Sequence, residues 1–551
     1  MNIQEIKNRR HFLKELVALS AFSMFGWEPR AAAGEKTLSE QAITEKTRSE
    51  NTRAENIRAE NTRAQNTRLE QALNIEPYRG DDPDRGHALR DGNLPDLCKP
   101  SNLGKLETSD SADFVIVGGG ITGLITAYKL RNYKTVLLEA GNPGGQSSLE
   151  ERKGLPYSLG AAYFCDLELV NPLLLELGLN PVCSGLRPMD LIFDNREKIN
   201  LAESKVPKDS RFAKDLFELG KLLKGYNEAG AISVIAGVKP EQSKLDGIKL
   251  AEVLTGFGEP FLRFIDRFLL SSICLTAAEI SALAGLYLLQ DLFETIYAFP
   301  GGNGAISKAL AARLDEHISR NAFVWSVQVK GDGAEVIYQA QDSIRKITCK
   351  HVIIAAPPIV AGRILQGVSN AEKGPLFSFR YGSYLVSNFI YQNESKQFSN
   401  FENFNLSDTA AETSLINDFI PAELVLKSTG SYKPSMGSIL TVYSPFQPGS
   451  QGRSLLFGSD RVELLTQVAH ELSNRTGLEM STIEAVVPTR WGHAMAAPIP
   501  GYFRRLENLL YAGRNNPVYT LNHSSLFGVQ CLENAYVAAH YGAERALRRL
   551  K

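Results

Sequence analysis

An α/β fold, with a Rossmann-like dinucleotide unit and a second α+β region, is what this sequence predicts. Three observations predict it. A short apolar strand, Phe114-Val115-Ile116-Val117, runs straight into Gly118-Gly119-Gly120-Ile121-Thr122-Gly123, and a helix pattern and a second strand ending in Glu139 follow. A later apolar run, His351-Val352-Ile353-Ile354-Ala355-Ala356, stops at Pro357-Pro358, as a buried strand does at the end of its sheet. Stretches 212–223, 261–270 and 277–289 carry apolar residues at three- and four-residue spacing, the period of helices.

The 551 residues are 43% hydrophobic and 22% charged, ordinary proportions for a globular chain that can hold large cores without disulfides. Its 60 basic and 61 acidic residues leave a net charge of -1, so no overall attraction to nucleic acid is expected. The 6 cysteines form no Cys-x-x-Cys pair and the 8 histidines no His-Glu-x-x-His motif, which argues against zinc, iron–sulfur and disulfide scaffolds. No metal site is expected.

Taken in order, the first element reads as an address. Asn8-Arg9-Arg10-His11-Phe12-Leu13-Lys14 precedes a short apolar stretch, 16–27, and then Arg30-Ala31-Ala32-Ala33-Gly34. Basic, apolar and small-residue regions in that order are the pattern of a signal peptide, here too short to span a bilayer. Residues 1–33 resemble a bacterial twin-arginine signal, cleaved after Ala33. The resemblance implies delivery by the twin-arginine export machinery, in folded form, to the periplasm or the outer side of the inner membrane. No transmembrane segment is expected in the mature form.

Residues 34–110 are expected to be a polar spacer and linker. From 50 onward the chain repeats Glu-Asn-Thr-Arg-Ala with few apolar residues. A helix turns about 500° in five residues, so this repeat lays down no single apolar stripe. A solvated spacer and an oligomerisation arm both remain open, and with them a homo-oligomer or protein partner. Gly80-Asp81-Asp82-Pro83 marks a turn within 75–110, read as irregular chain wrapped on the body or mobile.

The glycine unit is the chemical signal. Gly118 permits the tight turn, Gly120 lets backbone approach a pyrophosphate, and Gly123 lets the helix pack against the sheet. The pyrophosphate would meet free N–H groups at the positive helix end. Glu139, 21 residues after Gly118, is placed to accept hydrogen bonds from the adenosine ribose.

Past Glu139 come Ala140, Gly144-Gly145-Gln146 and Leu159-Gly160-Ala161. Here the sequence resembles the flavin amine oxidase superfamily, which includes monoamine, polyamine, L-amino acid and protoporphyrinogen oxidases and phytoene-type desaturases. The family usually has Glu-Ala, then Gly-Gly-Arg, then Leu-Gly-Gly/Ala beside the flavin. Gln146 replaces the arginine and carries no charge to a phosphate. Phe299-Pro300-Gly301-Gly302-Asn303-Gly304 before a helix at 305–314 matches a further family stretch. A hairpin follows, 322–330 and 334–338, and by resemblance Phe323 and Val324 at its start contact the adenine.

At the C-terminal end, Arg490-Trp491-Gly492-His493-Ala494 resembles the family's Arg-Trp turn near the flavin. Leu509-Leu510-Tyr511-Ala512-Gly513 resembles its last core strand, with Arg514 where an acid is common, and Gly528 is expected to open a terminal helix. By position, Val529, Gln530 and Cys531 offer backbone donors to the flavin pyrimidine. The resemblance thus implies a cofactor site of Gly118, Gly120, Gly123, Glu139, Gly144, Gly145, Gln146, Gly160, Ala161, Val324, Trp491, Gly513, Arg514, Gln530 and Cys531. Residues 492–511 lack the cysteine that links flavin covalently in monoamine oxidases, so noncovalent FAD is expected. The same resemblance implies a discontinuous layout. Residues 111–165, 300–365 and 485–551 form the FAD-binding domain, and 166–299 and 366–484 the substrate domain.

The activity implied is oxidation of a small-molecule amine or amino acid by hydride transfer to flavin N5, with O2 as acceptor. Two other readings stay open. One is a dehydrogenase, desaturase or isomerase on a less polar substrate with another acceptor. The other is a flavin-binding maturation or structural partner. The lysine that holds a water near N5 in amine oxidases would fall at Val386, and none lies nearby. Trp491, His493, Tyr519 and His523 are the catalytic candidates, with packing as the plainer role of each.

Overall fold

The computed structural model describes residues 73–99, 101–102, 105–106, 108–186, 189–192, 198–200, 210–229, 240–395, 397–406, 414–458, 460–513 and 516–550. The expected signal, the pentad repeats and Arg514 lie outside them. Two large sheets organise the chain. The first runs, edge to edge, Ile318–Ser319, Thr135–Leu138, Thr108–Val117, Ser343–Ile354, Gly333–Ala340, Ala322–Lys330 and Leu365–Gln366, with Tyr519–Leu521 also paired to Ser343–Ile354. Its heart is parallel: Phe114↔Thr135 on one side and Phe114↔His351 on the other. Phe114, Ile116 and Ile353 are fully enclosed, as strands covered on both faces require. Helices Ile121–Lys129, Gly304–Arg313 and Leu532–Arg549 cover one face.

The second sheet has eight strands, in the order Arg79–Gly80, Ile483–Ala496, Tyr381–Tyr391, Ser438–Phe446, Asp418–Pro421, Glu402–Asn405, Met189–Ile192 and Lys198–Asn200. Met189–Ile192 pairs parallel with Glu402–Asn405, so both expected inserts build one sheet. The helices expected between 212 and 289 are Arg211–Glu228, Glu259–Ile273 and Ala282–Leu289. The last starts later than expected because Ser281 caps it, its hydroxyl accepting from the Ala284 N–H.

Three expectations need correction. Residues 75–110 are largely ordered onto the body. Arg79–Gly80 is an edge strand, and Pro83–Asp91 is a helix capped by Asp82, with proline at its tolerated first turn. The Asp-Asp-Pro turn signal is therefore a helix start. The first strand of the dinucleotide unit begins at Thr108, ahead of both 111 and 114.

The last core strand is also displaced. Residues 509–513 end a helix, Tyr502–Gly513, whose buried Tyr502, Phe503, Leu506 and Leu509 follow helical spacing. Tyr519–Leu521 is the strand that joins the sheet, beside Ser343–Ile354. Gly528, at φ +140°, precedes the terminal helix, which starts at Leu532 behind a Cys531 cap.

Candidate functional site

The glycine turn has the geometry its spacing implies. Gly118 sits at φ +103°, left-handed space that favours glycine. A Cβ on Gly123 would lie 1.9 Å from the Gly118 carbonyl oxygen, so only glycine lets this helix come so close to the strand. A Cβ on Gly120 would meet nothing within 4 Å. Gly120 caps the Ile121–Lys129 helix without any side-chain bond, leaving the first-turn N–H groups for a ligand. The space in front of this turn therefore fits a pyrophosphate.

Glu139 fits a ribose. One carboxylate oxygen accepts from the Gly119 N–H at 2.7 Å and the other from the Gly141 N–H at 2.8 Å. Burial pushes its carboxyl up against the lowering effect of those two donors, and the charge of Asp81 adds to the rise. The Glu139 carbonyl accepts from the Ala322 N–H at 2.7 Å, which anchors the start of the hairpin strand. There Phe323 is half-buried, while Val324, expected at the adenine, is packed into the core.

Gly144, Gly145 and Gln146 bolt the turn to the stretch expected beside the flavin. The Gly144 N–H donates to the Gly119 carbonyl at 2.8 Å, and the Ala161 N–H to the Gln146 carbonyl at 2.7 Å. A Cβ on Gly160 would sit 2.3 Å from that same carbonyl oxygen. The Gln146 amide donates to the Ala494 carbonyl at 2.7 Å. Gln530 also donates to Ala494 at 2.7 Å and reaches Gln146 Oε1 at 3.1 Å. Two neutral amides thus join the glycine segment, the Ile483–Ala496 strand and the start of the terminal helix. The Cys531 thiol accepts from the Asn534 N–H, and burial holds it protonated.

Gly118, Gly120, Glu139, Gly145, Gln146, Gly160, Ala161, Trp491 and Gln530 are all half-buried. Half-burial leaves each of them partly open to a ligand, and the bonds above join Gly144, Gln146, Ala161 and Gln530 to one another's segments. Gly513 ends a helix rather than a core strand, so its expected place beside the cofactor is not borne out by its element.

The catalytic candidates separate. Trp491 donates from Nε1 to the Leu159 carbonyl at 2.9 Å, next to Gly160. His493, two residues on, packs edge-on against Tyr381 at 5.1 Å. Burial, then Arg453, push its imidazole down to about 4. His523 accepts at Nδ1 from the Ser525 N–H and pairs with the Ser525 hydroxyl, capping a turn. Tyr519, expected in the cleft, is 1% exposed on a core strand and donates to Glu372 at 3.0 Å.

Several site residues escaped sequence reasoning. Tyr443 donates to the Gly160 carbonyl at 2.9 Å. Tyr384 stands perpendicular to it at 6.1 Å, and Tyr163 meets Phe401 at 6.2 Å. With Trp491, Val386 and Ala162 these side chains form one apolar cluster under the 159–163 stretch. The strands Tyr381–Tyr391 and Ser438–Phe446 are buried along nearly their whole length, so their sequences carry no alternation that singles out one face. Asp81 was visible only as a turn residue. Among the described residues, no group of three His, Cys, Asp or Glu side chains is placed to hold a metal, and no helix is long and apolar enough to cross a membrane.

The family model of flavin containing amine oxidoreductase matches residues 121–497. No curated protein matches by sequence. Among solved structures, a putrescine oxidase bound to putrescine is similar at 17% identity and TM-score 0.62, covering 80% of this chain and 99% of its own. Cyclohexylamine oxidase from Brevibacterium oxydans IH-35A is similar at 17% identity and TM-score 0.59, over 80% and 99%. A CLA-producing fatty acid isomerase from P. acnes is similar at 14% identity and TM-score 0.57, over 79% and 98%. At such identities these likenesses speak for the fold alone.

Proposed function

The chain belongs to the flavin-containing amine oxidoreductase family, and on that premise we propose that it is an exported FAD-dependent enzyme oxidising an amine or amino acid, with O2 as acceptor. FAD, when bound, accepts the electron pair and hydrogen of the substrate C–H bond. The chain's own residues bind, orient and exclude water. The Ile121–Lys129 helix end takes the pyrophosphate and Glu139 the ribose hydroxyls, and the lack of a cysteine in 492–511 supports noncovalent binding. Tyr443 and Trp491 fix the Leu159-Gly160 backbone. His493, uncharged at neutral pH, adds no cation to repel a substrate ammonium.

The observation that carries this reading is the aromatic wall of Tyr163, Tyr384, Phe401, Tyr443 and Trp491 against the 159–163 stretch. Its half-buried members, Tyr163 and Trp491, are the ones open to a small substrate, with the buried Tyr384, Phe401 and Tyr443 packed behind them. The putrescine and cyclohexylamine oxidases of similar fold lend support for an amine. The Arg9-Arg10 signal pattern supports export in folded form.

A second reading, a dehydrogenase, desaturase or isomerase on a less polar substrate with another acceptor, is favoured by one observation. The strands Tyr381–Tyr391, Ser438–Phe446 and Ile483–Ala496 contain no lysine, and Val386 lies in the apolar cluster. Anaerobic bleaching of the bound flavin by a panel of amines and amino acids, followed by air, separates the readings. Bleaching and then rapid recolouring with peroxide release is the expected result. Slow recolouring selects the second reading, and no bleaching by any amine in FAD-loaded protein sinks the first.

A further inference from the structure

Residues 75–91 cross from one sheet to the other, anchored on the Ile483–Ala496 strand, the Leu149–Arg152 strand, the Ala322–Lys330 strand and the Pro358–Ile364 helix. Ile75 bridges to Val486, and Arg79 and Gly80 pair in parallel with Thr489 and Arg490. Gly80, at φ +84°, would bring a Cβ to 2.3 Å from the Arg490 carbonyl oxygen, so no other residue keeps this register. Arg79 grips Glu150 with two nitrogens, at 2.7 and 3.3 Å, and Glu76 pairs with Arg152. These bonds fasten the segment to the hairpin that follows Gly145.

Asp81 then turns inward. Its carboxylate accepts from the Gly492 N–H at 2.6 Å, next to Trp491, and its charge is felt at Glu139. The helix Pro83–Asp91 starts at once, capped by Asp82, which also holds Arg85 Nε at 2.6 Å. The Arg85 guanidinium lies over the Phe323 ring, 5.1 Å from its centroid. Phe323 follows Ala322, the residue bonded to the Glu139 backbone. At the far end Arg363, from the helix after Pro357-Pro358, donates to the Arg90 carbonyl at 2.9 Å.

We propose that residues 75–91 are a strap that completes the cofactor site: Arg85 walls the adenosine end over Phe323, and Asp81 latches the strap to the Trp491 turn. This rests on the FAD reading. The strap holds the Arg85 guanidinium in place through Asp82, and a bound FAD leaves only when it lifts.

The test is the rate of FAD release from purified holoprotein, read as the rise of free-flavin fluorescence after dilution. Arg85→Ala removes a half-exposed side chain and is expected to release FAD about five- to tenfold faster, as loss of a cation–aromatic wall affects dissociation more than association. Asp81→Asn keeps the shape, weakens the latch, and is expected to do the same. The unfolding temperature of each apoprotein is measured alongside, and for Arg85→Ala it is expected to stay at the wild-type value. Unchanged release in both variants overturns the strap while the FAD reading stands. Faster release accompanied by an equally lowered apoprotein stability in both variants also overturns it, since the effect would be general loosening. Wild-type protein that neither contains nor takes up FAD overturns the FAD reading and the strap together.

Discussion

The Tyr443 hydroxyl donates to the Gly160 carbonyl at 2.9 Å, tying the middle of the second sheet to the 159–163 backbone stretch. Tyr443→Phe leaves that carbonyl unpaired in a dry setting, at a cost of about 1–3 kcal/mol. The expected outcome is weaker FAD binding and a shifted flavin absorption band. Isothermal titration of FAD into apoprotein and the visible spectrum check it, and unchanged values for both would contradict the tie.

Gly120→Ala and Gly123→Ala should part company. The first adds a methyl to open space at an ordinary φ, so apoprotein stability is expected to hold while FAD affinity falls. The second forces a Cβ against the Gly118 carbonyl and is expected to destabilise the apoprotein by about 2 kcal/mol or more. Urea unfolding with and without FAD reads both, and equal destabilisation by the two would be the wrong result.

Acid should weaken the join between strands Ser343–Ile354 and Tyr519–Leu521. His351 bonds the Pro517 carbonyl through Nδ1 and the Thr520 hydroxyl through Nε2, both at 2.9 Å. The carbonyl can only accept, so Nδ1 carries the proton and Nε2 accepts. Burial pushes this imidazole from its ordinary 6.5 down to about 4. Between those values only the unfolded chain binds the proton, so the stabilisation is complete above about 6.5 and is lost as pH falls toward about 4. The slope is at most about 1.4 kcal/mol per pH unit. His351→Gln is expected to flatten the fall in stability between pH 7 and pH 5, measured by urea unfolding at both, by up to one proton's worth.

Gln530→Ala removes one of the two amides that meet at the Ala494 carbonyl. It is expected to lower stability by about 1–2 kcal/mol. On the proposed FAD site, the loss should be larger in holoprotein than in apoprotein. Differential scanning calorimetry of both forms reads the difference.

What the sequence made legible was local. The strand, glycines, helix, second strand and Glu139 occupy one unbroken stretch, and each residue type there answers to a backbone requirement nearby. The hairpin of Ala322–Lys330 and Gly333–Ala340 was legible for the same reason. The last strand was not. Leu509-Leu510-Tyr511 and Tyr519-Thr520-Leu521 are both short apolar runs, and which one enters the sheet depends on His351 and the Pro517 carbonyl. Tyr443 and Asp81 were missed because each meets its partner only through the tertiary fold, across 283 and 411 residues.

The same distance sets an order of assembly. Asn74 bonds the Glu484 carbonyl across 410 residues, so the first described segment to leave the ribosome cannot complete its pairing until nearly the whole chain has been made. Contacts of such long range form late, because the loop must be closed before they are rewarded. The newly made protein therefore passes through a stage in which both sheets can exist while the edge strand Arg79–Gly80 is not yet seated. On the strap proposal, the last strand to seat is also the one whose lifting lets a cofactor in or out.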